Sequence, residues 1–196
     1  MGHKEQQKFR KWLIQIREEF VWATCYFKVW EQLWPSTEEI ANVENRYINF
    51  FQLTRQALND QFTLHLSKIL DRHKDSINIF RIINMAEKHP GLLENTALDT
   101  QELTNKLNRN EEVFKRLKSL RDKKLVHVDE RFYTNDDLRK SIHVYVGEVR
   151  TLLNELAEIL TNISVAHNGT IPTFETIGID DTTELLTTLS SMRDEK

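Results

Sequence analysis

Arg121 occupies a position where the helical pattern around it demands an apolar side chain. On a wheel of about 100° per residue, Leu103, Phe114, Leu117 and Leu120 form one stripe. Arg121, four residues after Leu117 and seven after Phe114, falls inside it. Lys124 falls in the same stripe, and His127, seven residues after Leu120, lies on its edge. An unpaired guanidinium is expensive to bury, so Arg121 is expected to meet a partner, a cleft or a second subunit. A guanidinium presents a planar fork of donors that fits anionic oxygens and stays charged, and an imidazole titrates close to neutral pH. Residues that break a local rule mark candidate functional positions. Lys106 and Asn110 interrupt the same stripe, however, and an Arg121 snorkelling to water would account for its place without any function.

The remaining chemistry-bearing residues point elsewhere less sharply. His65 sits on an apolar helical stripe beside Leu66, and His143 lies near Glu148 on a later helix. Neither has the histidine and carboxylate spacing of a metal-binding helix, so no metal ligands are assigned, and His65 reads as a hydrogen-bonded core residue. His73 and His89 sit at helix ends, where a cation offsets the terminal dipole. Cys25 is the single cysteine, flanked by Ala23, Tyr26 and Phe27; it reads as a buried thiol, and a lone cysteine permits no intramolecular disulfide. Neither a GxxxxGK[ST] nor a GxGxxG loop occurs, nor a G-x-S-x-G elbow, which removes support for nucleotide hydrolysis, dinucleotide redox chemistry and serine hydrolysis.

The elements that must position Arg121 are helices. Phe9, Trp12, Leu13, Ile16, Phe20, Ala23, Phe27, Trp30 and Trp34 recur at steps of mostly three and four residues, one apolar stripe on a long first helix ended by Pro35. Ser36 with Glu39 reads as a capping box opening a second helix that runs to about Arg72. A third starts at Asp75 or Ser76 and stops at Pro90-Gly91. Asp99 with Glu102 caps a fourth, which carries Leu103 through Leu120 and the arginine. Thr134 with Asp137 opens a fifth, running to Leu160, and Asp180 to Met192 forms a short last helix after the loop at 167–172. No strand alternation and no repeat period emerges. The pattern predicts an all-α, antiparallel bundle of about five long helices plus a short C-terminal helix, with residues 1–165 as the bundle and 166–196 as a loop and helix packed on it. Stripes this strong are core first, so the four tryptophans read as packing residues rather than a stacking platform for bases.

The string Leu120-Arg121-Asp122-Lys123-Lys124-Leu125-Val126-His127-Val128-Asp129 resembles the signature of the HEPN superfamily, an arginine followed by a polar residue and, a few positions on, a histidine. Arg121, Asp122 and His127 match it. Leu120, Lys123 and Asp129, together with the earlier run Leu66-Ser67-Lys68-Ile69-Leu70-Asp71-Arg72, are similar to the abortive-infection AbiU-type branch, where an Arg-Asp-Lys run leads into His-x-Asp. The likeness spans the bundle from the first helix to the fifth.

The resemblance implies a metal-independent endoribonuclease, of the toxin or phage-defence kind, that needs no cofactor. RNA supplies its own nucleophile, the ribose 2′-hydroxyl, and its cleavage needs a base, an acid and positive charge on the crowded phosphate. On this reading His127 performs one proton transfer, Arg121 grips phosphoryl oxygens, Asp122 orients Arg121 or holds a substrate hydroxyl, and Lys123 and Lys124 steady the RNA backbone. One motif supplies one imidazole, so the resemblance implies a homodimer with a composite site, and an antitoxin is a candidate partner. The alternative is a HEPN-like module that binds nucleotides, RNA or a protein without cutting.

Composition bounds these readings. Charged residues make up 29% of the 196, interleaved with apolar ones, as in a packed globular chain. A net charge of −3 gives no general attraction to polyanions, so any RNA binding must come from a local patch. No apolar run reaches membrane-spanning length, and the polar stretch Met1–Gln7 lacks a signal peptide's apolar region. A cytoplasmic protein is expected.

Overall fold

The computed structural model describes residues 3–95, 98–126, 130 and 134–191; these residues form helices and loops and no strand. In chain order the helices are α1 (His3–Gln32), α2 (Glu38–Arg46), α3 (Ile48–Leu70), α4 (Ile79–Lys88), a 3-10 turn at Pro90–Leu92, α5 (Thr100–Asn108), α6 (Glu111–Leu120), a π-helical turn at Arg121–Val126, α7 (Asp136–Ser141), α8 (Val146–Asn168) and α9 (Ile179–Ser191). The expected all-α class is observed, with long helices packed antiparallel.

Cross-helix pairs fix the directions. Glu19 meets His65 while Phe27 meets Phe62, so α3 runs back along α1. Glu31 pairs with Arg150 while Phe9 contacts His167, so α8 also runs against α1. α8 is the central core helix: Leu152, Leu156, Ile159, Leu160 and Ile163 are completely buried, packed with Phe9, Leu66, Ile82 and Leu107. A smaller cluster of Leu33, Val43, Phe51 and Leu186 joins the end of α1, the α2–α3 junction and α9. Burial of this kind, at about 25 cal/mol per Å² of apolar surface, is what orders helices whose propensity alone is marginal in isolation.

Four expected helices are divided or trimmed. The second breaks at Tyr47 (φ −119°, ψ 36°) into α2 and α3. An unbroken helix would hold Val43 and Phe51 about 12 Å apart along its axis; the bend lets both join the Leu33–Leu186 cluster. The cap of α2 is Thr37, not Ser36: Thr37 Oγ1 accepts from Ile40 N at 3.3 Å. Helix one stops at Gln32, and Trp34 beyond it is half exposed. Helix three begins later, capped by the buried Asn78, whose Oδ1 accepts from Arg81 N. The fifth expected helix is two, α7 and α8, so His143 lies in the connection between them rather than on a helix.

The fourth helix begins as expected, with Asp99 accepting from Gln101 N and Glu102 N. It then breaks at Arg109–Asn110 into α5 and α6. The two polar interruptions of its stripe have partners on α8: Lys106 Nζ reaches Glu158 Oε1 at 2.6 Å, and Asn110 Nδ2 donates to Glu155 as well as to the Lys106 carbonyl. Glu155 and Glu158 lie three apart and so share one face of α8.

Candidate functional site

Past Leu120 the backbone leaves α geometry. Residues Arg121–Val126 form a π-helical turn, in which hydrogen bonds span one more residue than in an α-helix and each residue advances less around the axis. Such turns are uncommon and recur at functional sites. The 100° wheel therefore holds to the end of α6 and fails within the motif itself.

Arg121 is mostly buried and doubly matched by carboxylates. Asp122 Oδ1 accepts from both Nε and Nη2 at 2.7 Å, and Nη1 lies 3.8 Å from Asp71 Oδ2, an ion-pair distance beyond hydrogen bonding. The cost of placing a guanidinium in an apolar stripe is thus offset by two anions. The expected partner exists, and Asp122 has the geometry of an orienting residue. Ser67, Asp71, Arg72, Lys118 and Arg121 line a groove of about 180 Å³ here.

Lys124 goes the other way. Its Nζ pairs with Asp60 Oδ1 at 2.8 Å, and Asp60 also accepts from Gln56. Asp60 and Asp71 are eleven residues apart on α3, about 16 Å along a helix axis. Side chains only three residues apart therefore splay toward opposite parts of α3, as α6 and its π turn run antiparallel to it. Lys124 lines a second, larger cleft of about 770 Å³, with Trp30, Trp34, Asn59, Phe62 and His143 among its walls. Lys123 is partly exposed. The structure thus brings Arg121 and Asp122 together and separates them from Lys124. His127 lies outside the described residues.

The face of α3 opposing the motif carries residues that the sequence reading gave no role. Asp60, Thr63, Ser67 and Asp71 fall at steps of three and four, one polar line down the helix. Thr63 and Ser67 are buried, and neither hydroxyl hydrogen-bonds to any protein atom. Thr63 lines the Lys124 cleft and Ser67 the Arg121 groove. The same wheel arithmetic applied to α3 would have shown this line beside the stripe of Phe62, Leu66 and Ile69.

The rival histidine readings take definite form. His65 Nδ1 is 2.6 Å from Glu19 Oε2, and its ring stacks on Tyr26, an internally satisfied residue. Cys25 is a buried thiol that accepts from Ile177 N at 3.4 Å. Among the described residues no three His, Cys, Asp or Glu side chains gather as metal ligands, and no helix is long and apolar enough to cross a membrane. Of all the ionisable groups near α6, Glu148 is the one whose environment clearly favours its charge: the Arg116 guanidinium, 2.6 Å away, holds its carboxyl below the usual carboxylate range.

Compared with known proteins, residues 6–187 match the family model of AbiU2, within the HEPN grouping. No curated protein and no solved structure matches the chain.

Proposed function

The chain belongs to the AbiU2 family of HEPN proteins, and on that premise we propose that it is a metal-independent endoribonuclease of the toxin or phage-defence kind. One observation carries the reading. Arg121, the motif arginine, stands at a groove in a π-helical turn with its guanidinium oriented by Asp122, and His127 follows that turn in the sequence.

In the proposed reaction the ribose 2′-oxygen attacks the adjacent phosphorus. The O2′–P bond forms and the P–O5′ bond breaks. A base takes the 2′-hydroxyl proton and an acid delivers one to O5′, leaving a 2′,3′-cyclic phosphate and a 5′-hydroxyl. His127 performs one of these transfers. The Nη1 edge of Arg121, which faces Asp71 only at 3.8 Å, meets the phosphoryl oxygens as charge accumulates on them. Lys123 steadies the RNA backbone nearby, and Lys124 does so from the adjoining cleft. A second copy of the chain supplies the other imidazole, making the working form a homodimer, and an antitoxin is a fitting regulator.

The test is incubation of the purified protein with total RNA in EDTA, followed by end-group analysis. Cyclic phosphate ends that disappear in His127→Ala, with helical signal and oligomeric state unchanged, are the expected result; undiminished cleavage by that variant removes the catalytic assignment.

A second reading has its own support: Arg121 already faces two carboxylates, which suits a guanidinium kept for architecture in a module that binds RNA, nucleotides or a protein without cutting. Growth on overexpression separates the two. Toxicity relieved by Arg121→Ala favours the enzyme.

A further inference from the structure

The largest cavity among the described residues lies outside the motif. It is a groove of about 950 Å³ between the start of α1, the α3–α4 connection and α4. Its charge is opposite to that of the chain. Lys4, Lys8, Arg72, Lys74, Arg81 and Lys88 line it against a single acid, Glu5, whereas the whole chain carries a net −3. Two aromatic rings hold the cations in place: Lys8 Nζ and Arg81 Cζ each lie 4.5 Å from the centre of the Trp12 ring, and Arg72 Cζ lies 4.2 Å from that of Phe80. Cation–π contacts of this kind orient the charge without neutralising it. Most of these cations have not been paired internally. Arg72 is bonded to Glu111 and Asn108 and Arg81 Nη1 to the Ser76 carbonyl, while Lys4, Lys74 and Lys88 are exposed.

Arg72 also lines the Arg121 groove, so the two depressions meet at one side chain. Asp71 beside it touches Arg121. A strand whose scissile phosphate sits at Arg121 would pass Arg72 and enter the basic groove.

We propose that this groove is the track for the single-stranded RNA backbone leading away from Arg121. The identity of the ligand rests on the ribonuclease reading; the polyanion preference rests on the groove alone. The patch of local positive charge that a net-negative chain needs for RNA binding lies here, away from the motif lysines. Its occupant is a phosphodiester chain, recognised by charge rather than by base edges.

The experiment uses the full chain and a fluorescent 2′-O-methyl RNA oligonucleotide, which lacks the nucleophile and so reports binding apart from cleavage. The triple variant Lys8→Gln, Lys74→Gln, Lys88→Gln is expected to weaken binding at least about tenfold and to lower the slope of log K against log salt by about 2, since each single-strand phosphate contact contributes about 0.7. Arg121→Ala is expected to bind within about threefold of the parent. Far-ultraviolet dichroism of the triple variant checks that the bundle is intact, and Lys8→Arg, Lys74→Arg, Lys88→Arg should restore binding. Parent protein that does not bind the oligonucleotide, or a folded glutamine variant that binds as tightly, overturns the proposal. So does loss of binding to anionic phospholipid vesicles with RNA binding unchanged. Parent protein that binds through these lysines but leaves unmodified RNA uncut retains the track and defeats the ribonuclease reading instead.

Discussion

Asp71 Oδ2 lies 3.8 Å from Arg121 Nη1, which ties the C-cap of α3 to the first residue of the π turn. The two stretches that carry the family likeness, around Leu66–Arg72 and Leu120–Asp129, are therefore neighbours in space at this contact. One guanidinium answers two carboxylates of unequal standing: Asp122 holds it with two short contacts, and Asp71 faces it across a looser gap.

Asp71→Asn removes the weaker anion. The pair is partly exposed, so the change in stability should stay below about 1 kcal/mol. RNA phosphate then meets less competition at Nη1, and affinity for 2′-O-methyl RNA should rise by about twofold to fivefold. Urea titration and fluorescence polarisation read the two effects.

Asp122→Asn acts on orientation. It weakens both 2.7 Å contacts to Nε and Nη2, leaving the guanidinium less fixed. Cleavage should fall at least about tenfold with the helical signal unchanged, because a misplaced charge-stabilising group costs rate more than binding. A kcat equal to the parent's would show that Asp122 does not position Arg121 for catalysis.

Lys124 and Asp60 form a mostly buried pair at 2.8 Å. Lys124→Met leaves Asp60 with Gln56 as its remaining close partner, and should cost about 1–3 kcal/mol. Adding Asp60→Asn should recover part of that loss, with a coupling of about 1 kcal/mol in a double-mutant cycle. Strict additivity would mean that the pair contributes nothing.

Thr63 and Ser67 test whether the polar line on α3 serves the fold. Their hydroxyls are buried and unbonded to protein atoms, and a buried polar group without a partner is a net cost. Thr63→Val should be neutral or stabilising by up to about 1 kcal/mol. A loss of RNA binding in a variant that melts no lower than the parent would place Thr63 in contact with ligand.

Glu148 gives the pH signature. Its carboxylate accepts from Arg116 and from Tyr145 N at the start of α8, and the Arg116 guanidinium lowers its pKa in the folded chain. A carboxyl lowered by folding stabilises the native state above its ordinary titration range, and that contribution is lost as pH falls through the depressed value. Glu148→Gln should therefore be destabilising at about pH 7 and nearly indistinguishable from the parent at about pH 3. A difference independent of pH would assign the effect to packing.

Much of this molecule was legible along the chain because its cause is local. Periods of three and four apolar residues dictate helices whatever they pack against, as on α1 and α8, and Asp99 caps α5 through atoms two and three residues away. The arginine inside an apolar stripe was visible for the same reason, and so was its need for a partner. Which partner it would find was not. The breaks at Tyr47 and Asn110 arise from long-range fits, the Val43–Phe51–Leu186 cluster and the reach of Asn110 to Glu155 on α8, which no window of sequence contains. Tertiary structure alone opposed Asp71 to Arg121 and Asp60 to Lys124, and it alone assembled the basic groove from α1, α4 and the α3–α4 connection. A short stretch specifies its own backbone preferences and charge, but the field around a charge is set by whatever the folded chain carries back to it.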